Sequence, residues 1–162
     1  MQGVIVQLKD LIEGPDQVAI DVHATDRWQL IDEMIGRLAS TGRLPGHLQD
    51  AARAAVKERE STMSTGIGSG IGIPHAAVPG LTQALAVLAV SRHDVDFDAL
   101  DGAPVHLAVL IVFPEESTEQ HLDTLADIAR LLGNAATRRA MIEAQTADGV
   151  LRILREGAGD PG

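Results

Sequence analysis

Val105-His106-Leu107-Ala108-Val109-Leu110-Ile111-Val112-Phe113 is an apolar run too short for an ordinary helix. Its Val, Leu and Ile content suits a strand buried on both faces. Ala84-Leu85-Ala86-Val87-Leu88-Ala89-Val90 reads the same way, and Asp101-Gly102 between the two runs marks a turn. Strands without polar alternation need cover on both sides. The flanking segments supply it. Leu30, Ile31, Met34, Ile35 and Leu38 recur at helical spacing, which predicts a helix over 26–40 that stops before Gly42. A second helix starts near Pro45 and carries Leu48, Ala52 and Ala55 down one stripe, which extends to Arg59.

Downstream, Ser117 and Gln120 form a capping-box pattern, and Leu122, Leu125, Ile128, Ala129 and Leu132 supply an apolar face. Gly133-Asn134 ends that helix, and further helices are predicted over 135–144 and 147–155. Strands interleaved with helices imply an α/β layered fold. The segments Val4–Val6 and Val18–Ile20 each read as an edge strand or a docking turn. One domain over residues 1–156 is expected, with the Gly/Pro-rich 157–162 as a disordered tail.

Composition narrows the function. The formal net charge is -10 and the only lysines are Lys9 and Lys57, so a duplex backbone would repel the chain. Nucleic acid is therefore not an expected partner. The acidity suits either a partner with a basic docking face or plain solubility. With one Trp, two Phe and no Tyr, the core must be aliphatic and base stacking has little material. The absence of cysteine excludes disulfides and thiol catalysis. No apolar run approaches a membrane span and no signal-peptide pattern opens the chain, so a cytoplasmic protein without direct membrane insertion is expected.

The stretch Ser64-Thr65-Gly66-Ile67-Gly68-Ser69-Gly70-Ile71-Gly72-Ile73-Pro74-His75 places its glycines at alternate positions. That spacing is neither the dinucleotide fingerprint nor a phosphate-binding P-loop, and Ser69 lacks the surroundings of a hydrolase elbow. Two readings stay open: a flexible loop whose N–H groups form an anion-binding nest, or a tight connection between packed elements. His75 follows Pro74 at the end of this stretch, a place for a structural histidine or a displayed nucleophile. His121 leans to the core side near a helix N-terminus, as a satisfied half-buried histidine or as the neighbour of a bound anion. Arg59 needs an anion, either a nearby carboxylate or a ligand. His23, His47, His93 and His106 show no metal-ligand spacing, and no metal or cofactor is expected.

Together, the segments 59–75, 97–105 (Phe97-Asp98-Ala99-Leu100-Asp101-Gly102-Ala103-Pro104-Val105), Phe113-Pro114-Glu115-Glu116 and His121-Leu122-Asp123-Thr124-Leu125-Ala126 resemble the mannitol/fructose-type enzyme IIA domains of the phosphotransferase system. The resemblance runs from about Asp26 to Arg155 and is greatest to the nitrogen-regulatory branch. It implies a mixed, mostly parallel central sheet flanked by helices on both faces. It also implies a phosphocarrier that accepts a phosphoryl group on His75 from an HPr-like histidine phosphocarrier protein, with a covalent phosphohistidine intermediate. His121 and Arg59 match the other active-site positions, and Thr65, Gly66 and Gly68 would bind phosphate. The group would pass to an enzyme IIB in sugar transport or serve as a signal to regulatory target proteins, and a regulatory binding module without phosphotransfer is the further alternative. One departure is Gly72, where the family usually has alanine, which bears on loop stiffness.

Overall fold

The computed structural model describes residues 7–116 and 118–156. Its strands are β1 (Val18–Ala19), β2 (Gly66–Gly68), β3 (Ile71–Gly72), β4 (His75–Val78), β5 (Leu85–Val95) and β6 (Val105–Pro114). Its helices are α1 (Leu8–Leu11), α2 (Arg27–Ser40), α3 (Gln49–Thr62), α4 (Thr118–Leu132), α5 (Ala135–Glu143) and α6 (Ala147–Glu156).

The two apolar runs become β5 and β6, the long antiparallel pair at the centre of the sheet, with Leu85 opposite Val112 and Val90 opposite Leu107. Their lack of polar alternation has a direct cause. Leu85, Val87 and Ala89 join Ala108, Leu110 and Val112 in a core shared with α2 and α3. The alternate residues Ala86, Leu88, Val90, Leu107, Val109, Ile111 and Phe113 pack against α1, α4, α5 and α6. Both faces are dry, so neither can be polar.

The sheet order is β1-β5-β6-β3-β2, with β4 also on β6. The β1–β5, β3–β6 and β4–β6 pairings are parallel, whereas β5–β6 and β2–β3 are antiparallel. The expected mixed sheet is present, and its most extensive pairing is antiparallel. Val18–Ala19 resolves as an edge strand on β5. Val4–Val6, Ser117 of the expected capping box, and the 157–162 tail lie outside the described residues.

Helix α2 matches the predicted span: the Asp26 carboxylate caps it by accepting the Gln29 N–H at 2.9 Å. In α4 the inward row differs from the expected one. Thr124, Ile128 and Leu132 are buried, while Leu122 is 66% exposed and Ala129 faces solvent. Leu122 lies about 100° around the helix from His121, and the histidine takes the inward place.

The structure decides between the two readings of the glycines. They form a β-hairpin, β2–β3, turning through Gly68, Ser69 and Gly70, which have φ of 97°, 59° and 80°. Glycine is a poor strand former, so propensity argues for a loop. Packing decides otherwise. A Cβ at Gly66 would lie 2.8 Å from the Ala99 Cβ, and one at Gly72 would lie 2.7 Å from Phe97 Cε2. The hairpin presses its bare backbone onto the 97–99 segment, so the tight-connection reading holds and Gly72 answers to packing rather than to loop stiffness.

Candidate active site

His75 opens β4 in register with Ile111 of β6, and the Pro74 carbonyl accepts the Ile111 N–H at 3.1 Å. The imidazole is half-buried, with Nδ1 2.7 Å from the Ile73 carbonyl oxygen. A carbonyl can only accept, so Nδ1 carries the proton and Nε2 keeps an in-plane lone pair. Loss of hydration on burial is the main influence on the ring's proton affinity and lowers its pKa from 6.5. The Ile73 hydrogen bond opposes this, and the charges of Arg59 and His121 lower the pKa further while Glu60 raises it. The ring is thus neutral at pH 7.

His121 reaches the same end of the sheet from α4. Its ring stacks on Phe113, with centroids 3.9 Å apart and planes inclined by 26°. Its Nε2 lies 3.1 Å from the Pro114 carbonyl oxygen. The last turn of β6 therefore holds both histidines: Ile111 pairs with the strand that carries His75, and Phe113 and Pro114 seat His121.

Arg59 sits half-buried near the C-terminal end of α3 and donates from Nη1 to the Met63 carbonyl at 3.1 Å. The inward position of α3 is held not by Arg59 but by its neighbour Glu60, which is 1% exposed and pairs with Arg27 at 3.2 Å. The buried row runs Ala52, Val56, Glu60 rather than through Ala55. A stripe traced one residue over leads to the wrong member of the Arg59-Glu60 pair.

Residues 12–157 match the family described as "Phosphoenolpyruvate-dependent sugar phosphotransferase system, EIIA 2". The chain belongs to that family. It is 42% identical over 96 residues to the nitrogen regulatory protein of Pseudomonas aeruginosa, covering 59% of this chain and 62% of that protein. It is 32% identical over 139 residues to the PTS system fructose-specific EIIABC component of Bacillus subtilis, covering 86% of this chain and 22% of that much longer relative. The crystal structure of nitrogen regulatory protein IIA-Ntr from Neisseria meningitidis superposes with a TM-score of 0.79 at 28% identity, covering 87% of this chain and 94% of that one.

Within this enzyme IIA, the structure brings His75, His121 and Arg59 close enough for the latter two to act electrostatically on the first. The three expected phosphate-binding positions are arranged differently. Thr65 gives its N–H to Glu60 Oε2 at 2.9 Å and its hydroxyl to Glu60 Oε1 at 2.6 Å. The Gly66 N–H goes to the Ser64 hydroxyl at 3.0 Å. A Cβ at Gly68 would lie 3.4 Å from the Asp101 carboxylate, which accepts the Ser69 N–H at 3.1 Å. Hydrogen bonds from Ala103 and then Ser69 hold that carboxyl below the usual carboxylate range. These positions tie the hairpin to its surroundings. Sequence reasoning missed Glu60 and Arg27, and the only trace of them was a carboxylate on the buried row of a helix. Among the described residues no group of three or more His, Asp or Glu side chains is placed to hold a metal ion.

Proposed function

We propose that this enzyme IIA is a phosphohistidine carrier that takes a phosphoryl group on Nε2 of His75 from an HPr-like histidine phosphocarrier protein. The observation that carries this reading is the 2.7 Å bond between Nδ1 and the Ile73 carbonyl, which fixes the tautomer and aims the Nε2 lone pair. The Nε2–P bond forms as the donor's N–P bond breaks, and the electron pair returns to the donor imidazole. Such transfer is mostly alignment and charge stabilisation. Arg59 balances the phosphoryl charge, and His121, whose Nε2–H is taken by the Pro114 carbonyl, reaches its oxygens through Nδ1–H when the ring carries both protons. Thr65, Gly66 and Gly68 act through the scaffold rather than as phosphate ligands.

A protein partner suits the surface. Among the described residues the exposed large apolar side chains are Met63, Ile67, Leu100 and Leu122. Met63 accepts the Arg59 hydrogen bond, Ile67 follows Gly66, Leu100 donates its N–H to the Gly66 carbonyl, and Leu122 follows His121. Each is thus joined, through the chain or a hydrogen bond, to a residue of the expected site, and the chain's negative charge favours a basic docking face. Downstream, the group goes to an enzyme IIB or its presence is read by a regulatory target. The likeness to proteins named as nitrogen regulatory supports the second role, and a cytoplasmic location fits both.

The test is intact-mass spectrometry after incubation with phosphoenolpyruvate, enzyme I and the phosphocarrier. An acid-labile gain of one phosphoryl group in the wild type and none in His75→Ala is expected. No gain in the wild type, with an active control acceptor, leaves a binding module without phosphotransfer.

A further inference from the structure

Glu60 is a fully buried carboxylate that accepts three hydrogen bonds, from Thr65 N–H, Thr65 Oγ1 and Arg27 Nη1. Groups buried this deeply are costly unless paired, and removing one partner strands the others. Arg27 is itself anchored. Its N–H donates to the Asp96 carbonyl at 2.9 Å, and its guanidinium lies 4.5 Å from the Trp28 ring centroid. The network does not stop at Thr65. The Thr65 carbonyl accepts the Ile73 N–H at 3.1 Å, and the Ile73 carbonyl accepts the His75 Nδ1–H at 2.7 Å.

We propose that Glu60 is a positioning residue for His75: braced by Arg27, it sets Thr65, which sets the peptide of Ile73, whose carbonyl orients the imidazole. The proposal rests on His75 being the phosphoryl acceptor. The Nδ1 bond ties the rotation of the ring to the Ile73 carbonyl, so a shift in that carbonyl swings Nε2 off the line of attack. Arg27 has a second effect: it offsets the charge of Glu60, so the site can receive a phosphoryl group without facing a bare carboxylate. Glu60 touches neither the phosphoryl group nor the reacting nitrogen, and its influence passes through Thr65 and Ile73.

Glu60→Gln and Glu60→Ala separate geometry from charge. A glutamine can accept from Thr65 N–H and Arg27 with its carbonyl and turn its amide towards the Thr65 hydroxyl, whereas alanine leaves those donors stranded. In the full chain, nitrogen-15 NMR reads the His75 tautomer and titration without any phosphorylation, and single-turnover assays read acceptance from the phosphorylated carrier. Glu60→Gln is expected to keep the Nδ1–H tautomer while the His75 pKa moves down, because a carboxylate that raises it has lost its charge. Glu60→Ala is expected to mix the tautomers and slow acceptance about tenfold to a hundredfold, the loss typical of a misaligned reacting group. If Glu60→Ala does not fold, Thr65→Val, which removes one of the three bonds, carries the same test with a smaller loss. A folded Glu60→Ala or Thr65→Val with wild-type tautomer populations overturns the proposal. Disturbed tautomers in a chain whose wild type never takes up phosphate would instead sustain the positioning and reject the carrier reading.

Discussion

Replacing Gly72 by alanine should destabilise this protein, although alanine is what the family it resembles usually carries there. A Cβ at Gly72 would lie 2.7 Å from Cε2, 2.9 Å from Cζ and 3.0 Å from Cδ2 of Phe97. Carbon atoms in contact prefer roughly 3.5–4.0 Å, so ring and strand must part by about 0.8 Å. Neither yields easily. Phe97 is 0% exposed, and Gly72 is paired with Gly66 on one side and Ala108 on the other. Overpacking of this kind costs about 1–3 kcal/mol. Lower freedom in the unfolded chain returns about 0.4–1 kcal/mol. The midpoints leave a net loss of about 1.3 kcal/mol, or roughly 3–5 °C in Tm for a chain of this size. Urea and thermal unfolding would measure it, with an unchanged m-value showing that the surface exposed on unfolding is the same in both proteins. In a Phe97→Leu background the added methyl has room, and a coupling energy of at least about 1 kcal/mol is expected from the double-mutant cycle. A Gly72→Ala protein as stable as wild type, with no coupling to Phe97, would refute the packing argument.

Acceptance on His75 should fall in acid, because protonation of Nε2 consumes the nucleophile; an NMR titration midpoint at or above 6.5 would contradict the effect of burial. By linkage, the depressed pKa makes burial of the neutral ring a stabilising contribution present above 6.5 and lost as pH falls through the folded-state value. His121→Ala should leave His75 as the acceptor but slow transfer by about a hundredfold, the usual loss of one charge-stabilising donor. A wild-type transfer rate would reduce His121 to a packing partner of Phe113. Ile67→Asp and Leu100→Asp should each raise KM for the phosphocarrier about tenfold while leaving the saturated transfer rate unchanged. An unchanged KM in both would remove these apolar side chains from the docking face.

Much of the layered architecture was legible in local patterns. The runs 84–90 and 105–113 could be read as doubly buried strands because each carries apolar residues at successive positions. The α2 helix was readable from its period and from Gly42 beyond its end. At the site, the surroundings of His75, His121 and Arg59 in the chain left a structural reading open for each, and the resemblance singled them out; in the structure the charges of His121 and Arg59 both act on the His75 ring. Where reading failed, the cause was a contact distant in sequence. Leu122 counts as apolar on any scale, yet it faces solvent because the inward position of that turn belongs to His121, stacked on Phe113. The glycine stretch stayed open between a loop and a tight connection because no local preference favours a strand of glycines.

The sequence by itself determined the long central strands, the amphipathic helices and the net negative charge, since those depend on periodicity and side-chain type. Only the tertiary structure decided the hairpin and the roles of Gly72, Glu60 and Arg27. A bare backbone strand is stable only when Phe97 and Ala99 close on it. A buried carboxylate is tolerable only when the guanidinium of a residue 33 positions away meets it. Long-range partners of that kind leave no mark on the neighbouring sequence.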